Sequence, residues 1–332
     1  MENKKRLNVS QSAASVITAF IGVAILVVVF SIANPNFAKP DSLMTLMRST
    51  VPFLLVGIGQ AYVCITGNID LSIGSVLGMS AMISATMMCK GFHPIVAILF
   101  AFVCCMAVGL INGILVGKFR LPPFIATLGT MTIARGIAQL ANNNYNTDNI
   151  GSSGAAQAFK DIMYYGKTLG IFNGVWIALI IWGVFFYILS FTRSGRHIYA
   201  IGSNIDAARL SGVNVFTTTT KAYMVSSFCA FVTGLVAMAQ SGMGAMDAGM
   251  SYEMYAVAAA VIGGVSTLGG SGLLVGVIAG AAVWAVLQSG LTFAKVPVAY
   301  RNIIIGILVV ACVLFDVLRR NGTIRSKRKN KE

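Results

Sequence analysis

The chain has 332 residues, of which 57% are hydrophobic and only 10% charged, with a mean hydropathy of +0.81. A soluble domain carries about 25% charged residues, so this composition excludes one, and the wealth of apolar side chains excludes intrinsic disorder. The net charge of +14 does not point to nucleic acid, because the basic residues sit in short segments between apolar runs and in a terminal tail, as in a polytopic membrane protein.

Lys4, Lys5 and Arg6 lead a short cytoplasmic tail, residues 1–15, ahead of an apolar run over 16–33. A hydrocarbon core of ~30 Å needs about 20 helical residues. The run is too long for a signal-peptide core and reads as a retained first helix. Asn34, Pro35 and Asn36 then end it. Further apolar stretches follow at 45–66, 72–89, 94–116, 122–141, 171–191, 218–240, 254–268, 273–293 and 303–318. The fold class is therefore all-α, a bundle of about ten transmembrane helices forming one transmembrane domain over 16–318. The stretch 254–268 is short and rich in glycine, so whether it crosses or only dips into the bilayer stays open.

The charges orient this bundle. With the N-terminus inside, sixteen of the 24 basic residues fall on the cytoplasmic side, including Lys118, Arg120, Arg193, Arg196, Arg209 and a basic tail over 319–332. That asymmetry predicts two cytoplasmic termini and an even number of crossings. Two connections are long: an outer loop over 142–170, rich in Asn, Gly, Ser and Ala, and a basic inner loop over 192–217 with a helical look. A faint repeat pairs Gly67, Asn68 and Asp70 with Gly263, Gly264 and the glycines up to Gly272. Paired breaks of this kind suggest two related halves around a pathway.

Catalytic patterns are missing from the sequence. It contains no GxxxxGK[ST] phosphate loop. His93 and His197 lie far apart, and the six cysteines lack metal spacing, so no metal, cofactor or enzymatic constellation is expected. Arg135, inside the fifth stretch, costs ~2.5–3.5 kcal/mol at mid-bilayer; it either serves a pathway or snorkels to the outer interface. Asp70 can accept from the first turn of the next helix, the structural alternative to a gate. Thr127, Thr130, Thr132 and Gln139 share the fifth stretch with Gly129 and Gly136, as a surface for a hydroxyl-rich solute or as close helix packing. In the inner loop, Asn204 can cap a short helix that Gly212 ends. That helix is a docking knob for a cytoplasmic partner or an ordinary interfacial helix.

Four stretches then make the sequence recognisable: Gly67-Asn68-Ile69-Asp70-Leu71-Ser72-Ile73-Gly74-Ser75; Asn112-Gly113 with Pro122-Pro123-Phe124-Ile125-Ala126-Thr127-Leu128-Gly129-Thr130-Met131; Ala200-Ile201-Gly202-Ser203-Asn204 with Ala207-Ala208-Arg209-Leu210-Ser211-Gly212-Val213-Asn214-Val215; and Tyr252-Glu253 with Ala258 to Ser266. The chain resembles, from about Leu43 to Asp316, the permease subunits of ATP-binding-cassette monosaccharide importers, the branch of the ribose, galactose, xylose and arabinose permeases. Met254 and Tyr255 stand where the family more usually has Leu and Asp.

The resemblance implies a bacterial inner-membrane subunit that works with a second permease subunit, identical or related. It implies two cytoplasmic ATP-binding subunits and an extracytoplasmic sugar-binding protein, with ATP hydrolysis on the partner. Asn204, Asp206, Ala207, Ala208, Arg209, Leu210, Ser211 and Gly212 would form the helix that couples to the ATPase. Thr127, Thr130, Arg135 and the breaks at Gly67, Asn68, Asp70, Gly263 and Gly264 are the candidates for pathway or gate. The rival is a self-sufficient carrier, which would move solute without an ATPase.

Overall fold

The computed structural model describes the backbone of residues 2–151, 154–301, 303, 304, 306, 307, 310, 311 and 314, with side chains from residue 16 onward. The predicted stretch 303–318 lies largely outside these residues, and the basic tail over 319–332 lies wholly outside them. Among the described residues twelve α-helices have defined bounds: α1 (Glu2–Ala33), α2 (Pro40–Ile65), α3 (Ile73–Cys89), α4 (Pro94–Gly117), α5 (Pro123–Ala141), α6 (Gly154–Lys160), α7 (Asn173–Phe191), α8 (Arg193–Ser203), α9 (Ile205–Leu210), α10 (Val215–Ser241), α11 (Tyr252–Ile262) and α12 (Leu274–Phe293). Seven of them, α1, α2, α4, α5, α7, α10 and α12, are long and apolar enough to cross a membrane; α3 and α11 are apolar but shorter. The chain is thus a multi-pass helical membrane protein. The predicted tail 1–15 is continuous with the first helix, since α1 starts at Glu2.

Local chemistry sets the helix ends. Pro40, Pro94 and Pro123 open α2, α4 and α5, where the missing N–H costs nothing. The Asn34 side chain accepts from the Asn36 amide at 3.0 Å and breaks the chain after α1. Gly242, at φ +73°, closes α10 in the left-handed region that glycine adopts without strain.

The centre of the bundle is α10, packed against α2, α3 and α4, and α12 and α11 also pack on α2. From Val51 to Ile65, α2 is buried on every side. By contrast only 6% of the α1 span is buried, and its principal helical neighbour is α12. Successive elements run alternately between two ends of the bundle. At one end lie α8 and α9, with the breaks at 66–72 and 263–273. At the other lie α6 and the 142–172 connection, which holds a π-helical turn over Asp161–Tyr165 and a two-residue hairpin pairing Lys167–Thr168 with Ile171–Phe172. Arg48 fixes this second end to α2, its guanidinium 4.3 Å from the Tyr164 ring centroid and 4.2 Å from that of Phe172.

The chain does not return between the ends as a single helix after α10. Residues 242–251 are irregular and descend along α3. Gly244 packs on Ala85 and Met82, Ala248 on Gly78, and Gly249 on Gly74. From Ala85 to Gly74 this is a descent of ~16 Å. Only then does α11 begin, and it runs on to the glycines beside α8. The predicted short stretch 254–268 is therefore the second half of a connection between the two ends, with helix over 252–262 and turns beyond. Non-helical backbone at membrane depth is tolerated only where protein satisfies it, and that requirement shapes the site below.

A polar cavity between the fifth helix and a broken span

Gly74 and Gly78 lie one turn apart on α3 and leave it bare of side chains on one face. The irregular segment lies on that face. Arg135 reaches across from α5, and its Nη1 donates to the carbonyls of Met246 at 3.2 Å and Ala248 at 2.8 Å. A methyl group on Gly78 would sit 2.5 Å from the Ala248 oxygen and 2.9 Å from that Nη1. The glycine is thus required for the bridge. At the far end of the segment the Met246 amide donates to Asn146 Oδ1 at 2.8 Å, and the Gly244 amide to Thr147 Oγ1 at 2.8 Å.

Beside this bridge is a cavity of about 370 Å³, lined by Ser75, Met131, Thr132, Arg135, Gly136, Gln139, Met250, Ser251 and Glu253. Thr132, Arg135, Gly136 and Gln139 are spaced by three and four residues and so share one face of α5. Thr127 and Thr130 occupy another face and do not reach the cavity. Both are buried. Thr130 Oγ1 donates to Asn112 Oδ1 at 2.7 Å, and Thr127 Oγ1 to the Pro123 carbonyl at 2.8 Å.

Thr130 belongs instead to a buried polar chain. Asn112 Nδ2 donates to Ser72 Oγ at 2.9 Å, and Ser72 Oγ donates to Asp70 Oδ1 at 2.6 Å. The Ser72 amide also donates to Oδ1, at 2.9 Å, and Ser226 Oγ donates to Oδ2 at 2.6 Å. Asp70 therefore holds the start of α3, as expected for a carboxylate at a helix N-terminus, and ties α3, α4, α5 and α10 together. Tyr223 adds a bond from its hydroxyl to the Ile69 carbonyl at 3.2 Å.

The two glycine breaks meet. The Gly270 amide donates to the Ile65 carbonyl at 2.9 Å, and Gly67 touches Gly269. Asn68 Nδ2 donates to Thr66 Oγ1 at 2.8 Å. Gly263 lies against the backbone of Gly276 in α12, an approach that no side chain would permit, and Gly264 turns the chain at φ +83°. Above both breaks lies α8, with Gly202 against Ile65 and Ser203 against Gly270. Tyr199 donates its hydroxyl to the Gly272 carbonyl at 2.7 Å. Burial pushes that phenol up to about 12, so it stays a donor throughout the physiological range.

Beyond α8 stands α9. Asn204 Oδ1 accepts from the Ala207 amide at 2.9 Å, and Gly212 ends the turn at φ +81°. Asp206 and Arg209 pair at 3.8 Å on the surface. Ala208 is the buried contact of this helix, packed with Ile201 and Val213. Ser211 Oγ donates back to the Ala207 carbonyl. Leu210 is 90% exposed.

Ser75, Ser251 and Glu253 line the cavity in addition to the residues the sequence points to. The signal available was a carboxylate, Glu253, immediately before the apolar run 254–268, with the hydroxyl of Ser251 two residues ahead of it and that of Ser75 just past the first glycine break.

A many-helix membrane bundle with a broken span, a cavity beside it that carries an arginine and a glutamate, and an exposed helix at one end points to a transport permease. Family comparison agrees. Residues 42–313 match the family described as the permease component of branched-chain amino acid transport systems, and the chain belongs to that family. It is 33% identical to the ribose import permease RbsC of Bacillus subtilis, over 90% of this chain and 91% of the relative. It is 33% identical to the D-allose transport system permease AlsC of Escherichia coli, over 90% of each. It is 30% identical to the autoinducer 2 import system permease LsrC of Salmonella typhi, over 95% and 89%. No solved structure matches.

Proposed function

We propose that the chain is the transmembrane subunit of an ATP-driven importer for a small neutral sugar, a ribose-type monosaccharide first among them. In this reading it lies in a bacterial plasma membrane with both termini cytoplasmic, and it pairs with a second permease subunit. An extracytoplasmic binding protein delivers the solute at the α6 end, and cytoplasmic ATPase subunits grip α9. Relatives named as ribose and allose permeases support the sugar class.

The observation that carries the reading is the continuity from α9 to the cavity. An exposed helix with a bare leucine is joined through α8 to the backbone of both glycine breaks. One break leads directly into α3 through the Asp70 clamp, and the other follows α11, whose first turn carries Glu253 into the cavity. A push on α9 by a closing ATPase dimer would move the breaks at Gly67–Asp70 and at Gly263–Gly264. It would thereby change the spacing between α3, α5 and α11 around the cavity, which is alternating access at a broken span.

The test is reconstitution in liposomes with the ATPase and binding protein encoded beside this chain. Sugar uptake is expected to require all components and ATP. Uptake by this chain alone, driven by a gradient and indifferent to ATP, would replace the proposal with a self-sufficient carrier.

A further inference from the structure

The cavity beside Arg135 has more hydrogen-bonding capacity than the protein uses. Arginine carries five donors in a planar fork, and the two carbonyl bonds both come from Nη1. Glu253 faces the same space, yet the two charges do not close on each other. Among the described residues the one ion pair is Asp206 with Arg209. The side chains of Ser75, Gln139 and Ser251 make no hydrogen bond to protein among the described residues. Met131 and Met250 supply apolar wall.

We propose that this cavity is a binding station for a neutral polyhydroxylated solute, held by a vicinal diol that bridges the Glu253 carboxylate and the Arg135 guanidinium. A hydroxyl both donates and accepts, so a diol satisfies the acceptor and the donor at once. An anion would meet Glu253 and a cation Arg135, each repelled by one side of the site. Gln139 offers an amide donor and acceptor to a further hydroxyl, and Ser75 and Ser251 can exchange with ring or terminal oxygens. The methionines suit the C–H face of such a molecule. The volume lies within the ~300–1,000 Å³ of small-molecule sites. A station of this kind gives the permease its own choice among solutes, separate from that of any delivering protein. The inference rests on the importer reading for the direction of traffic; occupancy of the cavity does not depend on it.

The experiment uses the full chain in nanodiscs with Met250→Cys as reporter, and Met131→Cys as a second, in a background lacking Cys89, Cys104 and Cys312. Labelling by a water-soluble thiosulfonate is followed with D-ribose, ribitol or glycerol present, and with equal glycine betaine as control. A site with a Kd of roughly 1 mM is about nine-tenths filled at ~10 mM, so ribose or ribitol should slow labelling about tenfold. Glu253→Gln in the same background should remove most of that protection. Equal labelling rates with and without every polyol, or no labelling of either reporter, would overturn the proposal. ATP-driven uptake by the wild-type assembly is measured in parallel. If uptake persists without protection, only the station fails; if protection persists without ATP-driven uptake, only the importer reading fails.

Discussion

The guanidinium of Arg135 is anchored to the main chain of Ala248, donating to its carbonyl at 2.8 Å through the gap left by Gly78. The bond crosses from an intact helix to an irregular segment at membrane depth, where backbone polar groups must find partners in the protein or in a cavity it lines. This makes Arg135 a structural strut as well as a wall of the cavity. Replacing it by methionine keeps the bulk and removes the donors. We expect a loss of about 1.5–3 kcal/mol for each charge-assisted bond at most, read as an earlier midpoint in denaturant titration of the purified chain. Arg135→Lys should recover part of it. Wild-type stability in the methionine variant would show that the bridge holds nothing.

The bare face of α3 gives a second expectation. A methyl group at Gly78 would overlap the Ala248 oxygen and crowd the arginine hand. Gly78→Ala should therefore cost about 1–3 kcal/mol by overpacking. Gly129→Ala, where a methyl group would meet nothing, should cost little. Thermal unfolding of the two variants side by side decides the point.

The buried chain from Asp70 to Thr130 predicts an asymmetry. Asn112→Leu leaves Ser72 and Thr130 short of a partner and should destabilise by about 1–3 kcal/mol. Asn112→Asp should be worse, because it places a second carboxylate next to a buried one that has no ion-pair partner among the described residues. If the aspartate variant is the more stable of the two, the reading of this network is wrong.

At the exposed end, substitutions should separate folding from coupling. Leu210→Glu and Arg209→Glu alter side chains that face outward, so stability should change by no more than about 0.5 kcal/mol. On the importer reading, solute-stimulated ATP hydrolysis by the chain assembled with its ATPase should fall to its basal level. Ala208→Trp cannot serve for this purpose, since Ala208 is buried against Ile201 and Val213 and the bulky ring would disrupt the loop itself. Asn204→Ala should cost about 1 kcal/mol through the lost cap. Stimulation unchanged in both glutamate variants would remove α9 from the coupling path.

The helices were largely legible in the sequence because each apolar run is bounded by proline, asparagine or glycine. The runs at 94–116 and 122–141 match α4 and α5 to within a residue. The turn of α9 was legible through Asn204 and Gly212, whose cap and stop chemistry is local. The path of residues 242–251 was not. Gly242 to Ser251 reads as a surface connection, and only α3, nearly 170 positions earlier, reveals that its glycines offer a groove for it. The facing of α5 was likewise hidden. Thr127 and Thr130 differ from Thr132 and Gln139 by which neighbour they meet, and no periodicity says where Asn112 will stand. In the 142–172 connection the short hairpin rests on two residue pairs, too few to leave a pattern.

The irregular span is held by its carbonyls and amides, through Arg135, Asn146 and Thr147, rather than by its side chains. Met250 and Ser251 are thereby released from scaffolding duty while still bordering the cavity. On the binding-station reading, mutation at these two places would reshape what the chamber accepts without undoing the architecture around it, a route by which one backbone could serve different cargoes.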